Sequence, residues 1–262
     1  MINEIKVKPN TTASHILFFD NIDLTQLPNR RIVPLYGANG SGKTTLLKEI
    51  HFAMYERGED KGGDDIGDRL SKALKRQRAG VEHNSQIEVK CDDEKTVYYK
   101  YRNGQDNFRV MEAKSYTESF DPIFINLKYN AKSLSEGQSI VYSVDSLLKG
   151  MLRSTKRNES FIKDDNTHAV VLLDEIDSGL SIDNLDRMLK IIQKVLRQGR
   201  NIQFFMSFNN PYVIKYFPDV ISMYDGNIHH FDNMEEMLED LKANQNMLDK
   251  ARKSRGEYKI FD

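Results

Sequence analysis

The stretch Gly37-Ala38-Asn39-Gly40-Ser41-Gly42-Lys43-Thr44 constrains this chain more than any other. It has the form G-x-x-x-x-G-K-[ST], a loop whose backbone N–H groups wrap phosphate oxygens where a strand runs in and a helix runs out. Glycine at 37, 40 and 42 opens backbone dihedrals closed to other residues and lets an anion approach closely. Lys43 would reach the β- and γ-phosphates of a nucleotide, and the Thr44 hydroxyl would ligate Mg2+. Ala38, Asn39, Ser41 and Thr45 complete the predicted cradle. The flanks agree with this reading. Residues 31–36 are apolar enough for a buried strand, although Pro34 is unusual in a central one. Residues 44–57 predict a helix that stops at Gly58 and points its positive dipole end at the same phosphates.

The remaining pattern predicts an α/β protein. Residues 4–8 and 15–19 read as short strands before the loop, with Phe18 or Phe19 as candidates to stack on a base. A Gly- and acid-rich loop follows the first helix (58–65), then a short helix over 69–78. Residues 86–90, 96–102 and 107–111 alternate as half-buried strands, with a hairpin signal at Asn103-Gly104, and predict an antiparallel region. Further strands are expected at 123–127, 169–173, 202–206 and 220–224, the last turning at Asp225-Gly226-Asn227. Helices are expected over 136–153, over 181–198 with Leu185, Met188, Leu189, Ile192, Val195 and Leu196 on one face, and over 234–255. Residues 154–167 read as an exposed connection. Strand–helix–strand alternation predicts a mostly parallel sheet with crossover helices.

Composition narrows the function classes. A chain of 262 residues suits one sizeable domain. The formal net charge of −1 gives no global basic field, so nucleic acid is not indicated as a partner. A local basic face (Lys72, Lys75, Arg76, Arg78) is compatible with a solvated helix or a phosphate-backbone contact. The single cysteine, Cys91, allows no intrachain disulfide and favours a cytoplasmic setting. No apolar run approaches the ~20 residues of a membrane span, and the first residues carry no signal-peptide core, so no direct membrane insertion is expected. His229-His230 has no metal-ligand spacing.

Two later motifs complete the chemistry. Val170-Val171-Leu172-Leu173-Asp174-Glu175 is an apolar strand ending in two carboxylates. There Asp174 would hold Mg2+ and Glu175 would polarise an attacking water. Lys132 to Gln138 contains LSEGQ ahead of a helix; Ser135 caps it, Gly137 permits close backbone approach, and the segment can donate to a phosphate.

Taken in order, GANGSGKT, LSEGQ, VVLLDE and Ser178-Gly179-Leu180-Ser181 resemble the Walker A, signature, Walker B and D-loop of an ATP-binding-cassette ATPase, over about residues 30 to 230. The resemblance implies a P-loop NTPase core lobe (about 1–128 and 169–232), a small helical signature lobe (about 129–168) and a C-terminal helix (about 233–256). It implies Mg-ATP as ligand and a head-to-tail homodimer, formed in the presence of ATP. There Ser135, Gly137 and Gln138 of one subunit act on the other's nucleotide. The helix after the signature, from Ser139 to Leu148, lacks the basic, Ala-rich character usual in transporter subunits. Asp174-Glu175-Ile176-Asp177 replaces their DEP. Both departures resemble the soluble RecF/SMC-like and OLD-like branch, which implies a separately encoded effector in DNA maintenance or anti-phage defence. The alternatives are a transporter's nucleotide-binding subunit and a nucleotide-dependent sensor or scaffold with little turnover. Such families carry a switch histidine where Ser207-Phe208-Asn209-Asn210-Pro211-Tyr212 stands here. Asn209 takes the position, or Phe208 with the alignment shifted by one, and neither an amide nor a phenyl ring can carry the proton an imidazole can. The expected ATPase is therefore slow or partner-dependent. For a Q-loop glutamine, Gln77, Gln86 and Gln105 are the candidates.

Overall fold

The computed structural model describes residues 1–9, 11, 17, 19–59, 85–92, 97–102, 138, 141–142, 144–145, 169–197 and 202–254. In chain order the elements are β1 (Ile2–Val7), β2 (Asn21–Asp23), β3 (Ile32–Tyr36), α1 (Lys43–Glu59), β4 (Ile87–Cys91), β5 (Val97–Arg102) and β6 (Ala169–Asp174). These are followed by α2 (Ile182–Arg197), β7 (Ile202–Ser207), β8 (Asp219–Ser222), β9 (Ile228–His230) and α3 (Met234–Ser254). Short 3₁₀ turns occupy Leu24–Gln26 and Pro211–Lys215.

A six-stranded sheet of order β5-β6-β7-β3-β8-β9 forms the centre, parallel except for β9. Both of its faces are covered. Alternate residues of β6 divide between the two sides: Val171 and Leu173 pack with the apolar stripe of α2, while Val170 and Leu172 pack toward α1. A run with no polar alternation is what a strand buried on both faces requires. The stripe of α2 is the one its sequence predicts: Leu185, Met188, Leu189, Ile192, Val195 and Leu196 are all buried.

A second, antiparallel sheet of order β2-β1-β4 lies over the α1 side, where Ile2, Ile5, Ile22 and Ile87 join Leu46, Leu47 and Ile50 in one cluster. Gln203, fully buried on β7, joins the two sheets. Its side-chain carbonyl accepts from the Ile2 N–H at 2.7 Å, and its amide donates to the carbonyls of Ile2 and Arg30, each at 2.9 Å.

Pro34 sits in the central strand after all, and the pairing explains how. The Arg31 carbonyl bonds to Phe204 on β7 and the Tyr36 carbonyl to Met223 beyond β8. Backbone groups of alternate residues face alternate neighbours, so the missing Pro34 N–H faces β8. The ladder with β8 begins only at Leu35.

Three expectations change. Residues 97–102 do not pair antiparallel; β5 is an edge strand running parallel to β6, from Val97↔Ala169 to Arg102↔Asp174. Period-two alternation reports a half-buried strand but carries no information about direction. The second strand lies at Asn21–Asp23, and Leu17 and Phe19 stand outside it. Phe19 is a core residue, 5% exposed, packed beneath Gly226, which removes it as a base-stacking candidate. Phe18, residues 60–84, the Asn103-Gly104 turn and the strands expected at 107–111 and 123–127 lie outside the described residues, as does 154–167. Of the helix expected over 136–153, Gln138, Val141, Tyr142, Val144 and Asp145 are described and helical.

Candidate nucleotide site

The phosphate loop leaves the C-terminal end of β3 and runs into α1, at the edge where β6 and β7 also end. In an open α/β sheet this carboxyl edge is where ligands bind. Gly42, with φ +96°, turns the chain into the helix in a conformation that side-chain-bearing residues avoid. Gly37 is required for a different reason: a Cβ there would fall 2.4 Å from the Ser41 hydroxyl.

Lys43 is folded back on its own loop. Its ammonium donates to the carbonyls of Gly37 and Ala38, the latter at 3.1 Å, and the residue is only 7% exposed. Burial pulls its pKa down to about 8, opposed by the charges of Asp177, Glu175 and Asp174. The cation is thus bonded to two carbonyls and lies in the field of three carboxylates.

The second motif meets the first across 130 residues. Thr44 Oγ1 donates to Asp174 Oδ1 at 3.1 Å, and the same oxygen accepts from Ser207 Oγ at 2.7 Å. Ser207 Oγ in turn accepts from the Glu175 N–H at 2.7 Å, so the ends of β6 and β7 are fastened together. Glu175 has φ +51°, the left-handed conformation that costs an ordinary residue roughly 1–2 kcal/mol. Such strain persists where the surroundings over-determine it, typically at functional sites. Here the Ser207 bond to its N–H is one of those determinants.

A hydroxyl and a buried carboxylate in contact at the end of the loop fit Mg2+, which keeps several waters and takes one or two protein ligands alongside phosphate oxygens. Among the described residues, no group of three or more His, Cys, Asp or Glu side chains could hold a metal. His229 and His230 pair instead with Asp225 and Asp219, at 3.1 and 2.8 Å.

Asn209 is exposed on the turn after β7. Its N–H donates to Asp177 Oδ2 at 2.8 Å, and the Asn210 N–H donates to the same oxygen. Asn210 then caps the following 3₁₀ turn by accepting from Tyr212 N at 3.0 Å. Asp177, the fourth residue of DEID, therefore anchors the turn that carries Asn209. Sequence pattern alone gives it no role, because the amides it binds arrive from more than 30 residues downstream. The same holds for Ser207, whose partner amide is that of Glu175. Gln86 donates its N–H to Glu49 on α1 at 2.7 Å, at the start of β4. Gln77 and Gln105 lie outside the described residues, as do Ser135 and Gly137; Gln138 is described as an exposed helical residue. Thr45 follows Thr44 in the first turn of α1, half-buried.

Fold and loop together are those of a P-loop nucleotide-binding domain. Residues 14–260 match the AAA domain family, and the chain belongs to that family. No curated protein matches it. Among solved structures, it is similar to the ATP binding subunit of an ABC transporter, with 15% identity over 92% of this chain and 100% of that one and a TM-score of 0.42. It is also similar to a nucleotide-free ATP-binding cassette from an ABC transporter, with 13% identity, 93% and 96% coverage and a TM-score of 0.45. A dimeric ATP-binding cassette in a post-hydrolysis state, bound to ADP and Pi, gives 13% identity, 89% and 100% coverage and 0.43. Likenesses of this strength say nothing about activity.

Proposed function

We propose that this chain binds Mg-ATP between the phosphate loop and the end of β6, hydrolyses it slowly, and forms a head-to-tail homodimer around it that controls a separately encoded effector. The observation that carries the reading is the Thr44–Asp174 contact, which brings two motifs 130 residues apart to one point beside Lys43. In this reading the amides of the 37–45 loop, apart from the Ala38 N–H that Tyr224 holds, and the Lys43 ammonium bind phosphate oxygens. The ammonium has three N–H donors: two are on the Gly37 and Ala38 carbonyls, and the third can serve a phosphate oxygen without unseating the lysine. Thr44 and Asp174 would hold Mg2+, which would supply positive charge to offset that of the phosphates. Glu175 orients and deprotonates the attacking water. Asn209 offers an amide hydrogen bond toward the γ-phosphate and no proton transfer. Ser135, Gly137 and Gln138 of the signature lobe close over the partner's nucleotide.

The test is Glu175→Gln. Removing the base while keeping the shape should abolish turnover and trap an ATP-bound dimer, read by light scattering with and without ATP. A variant that binds ATP and stays monomeric at every concentration overturns the dimer. A second reading, a sensor with almost no turnover, draws on the exposed Asn209 in place of a histidine. Brisk phosphate release by the wild-type chain removes it.

A further inference from the structure

One peptide plane in the phosphate loop is held on both of its edges. The Gly37 carbonyl accepts from the Lys43 ammonium, and the N–H of the same peptide, on Ala38, donates to the Tyr224 hydroxyl at 2.7 Å. Tyr224 lies in the turn after β8, far from every sequence motif. Its ring meets the edge of Tyr36 at 6.1 Å with the planes 78° apart. Tyr36 is the last residue of β3 and is fully buried; its carbonyl accepts from the Met223 N–H at 2.8 Å. On the opposite side the Tyr36 hydroxyl donates to Asp240 Oδ2 on α3 at 2.6 Å, and Asn244 Nδ2 donates to the same oxygen at 2.8 Å. Phe231 closes the aromatic group, 5.1 Å from Tyr36.

We propose that Tyr224 is a positioning residue for the phosphate loop, and that Asp240 of α3 sets it through Tyr36, so that docking of the C-terminal helix and nucleotide affinity are coupled. The inference rests on the nucleotide reading of the loop. Flipping the Gly37–Ala38 peptide would turn its carbonyl away from Lys43 and unseat the lysine. The Tyr224 hydroxyl opposes that flip directly. The aromatic edge contact fixes where that hydroxyl sits, and the Tyr36–Asp240 bond fixes the other ring. A helix more than 190 residues downstream thereby acts on the residues flanking Gly37. A pre-ordered loop loses less conformational freedom on binding and so binds more tightly.

The experiment compares wild type, Tyr224→Phe and Asp240→Asn in two readouts: ATP affinity by titration, and hydrogen exchange of the 37–40 amides without nucleotide. Tyr224→Phe keeps the ring and removes one hydrogen bond of about 1 kcal/mol, equivalent to about fivefold. ATP binding should weaken by up to about fivefold, KM should rise with kcat little changed, and the Ala38 amide should exchange faster, with the melting temperature falling by no more than about 4 °C. Asp240→Asn should move both readouts in the same direction by less. Wild-type affinity together with wild-type exchange at Ala38 in Tyr224→Phe overturns the tether. A wild-type chain that binds no ATP overturns the nucleotide reading, and with it the coupling, whatever the exchange rates show.

Discussion

The two halves of the site are built differently. On the loop side, Gly37 to Thr44 is fixed by glycine dihedrals, by Lys43 bonding back to two carbonyls and by the Thr44–Asp174 contact. On the turn side, the N–H groups of Asn209 and Asn210 share a single carboxylate, Asp177, and Asn209 is presented to solvent. The contrast teaches that the proposed phosphate cradle is held at many points, whereas the group proposed to sense the γ-phosphate is suspended from one side chain. Affinity should therefore be robust to changes near Asn209, and turnover should not.

That contrast can be broken most forcefully at Lys43. Lys43→Ala removes the loop's buried cation and should weaken ATP binding roughly 100-fold, on the scale of a charge-assisted bond of about 3 kcal/mol. Calorimetric titration decides it; undiminished affinity would mean that phosphate binds elsewhere. The next largest effect should come from Asp177→Ala. It leaves the Asn209 and Asn210 amides without their acceptor, and turnover should fall about tenfold while ATP affinity changes less than about twofold. Equal losses in both would erase the distinction between the two halves.

The smallest effect sharpens the loop side by pH. Burial lowers the Lys43 pKa to about 8 in the nucleotide-free fold, and bound phosphate would raise it again. Above pH 8 binding must then take up a proton, so ATP affinity should fall as pH rises through 8, by at most about tenfold per unit. Stability without nucleotide should move oppositely. A lysine whose folded pKa lies below its unfolded value of about 10.4 destabilises the fold in full below pH 8 and is relieved between 8 and 10.4. Melting curves and titrations across pH 7–10 with parallel slopes would contradict this account of Lys43.

How much of this was legible in the sequence follows from how local each signal is. The loop, the β6 run and the α2 stripe are short-range patterns with one physical solution, and each formed where its pattern placed it. The direction of β5 was not legible, because alternation is the same for either sense of pairing. β2 is three residues long, below any periodicity window. The roles of Asp177, Ser207 and Tyr224 are not legible because their partners are backbone groups of distant segments. An N–H at Ala38, Glu175 or Asn209 leaves no mark on the sequence of the residue that will bond it.

Gln203 has a consequence for how the chain is made. Its side chain satisfies backbone groups at Ile2 and Arg30, so the last bond closing the N-terminal sheet comes from a strand some 200 positions later. At translation rates of roughly 5–20 residues per second, the earliest segment waits on the order of 10 seconds or more for its fastening. During that interval the Ile2 amide and the Ile2 and Arg30 carbonyls must find other partners, water or a chaperone among them. Gln203→Leu should therefore be felt first as a loss of yield during synthesis, before any change in the finished protein's affinity for ATP.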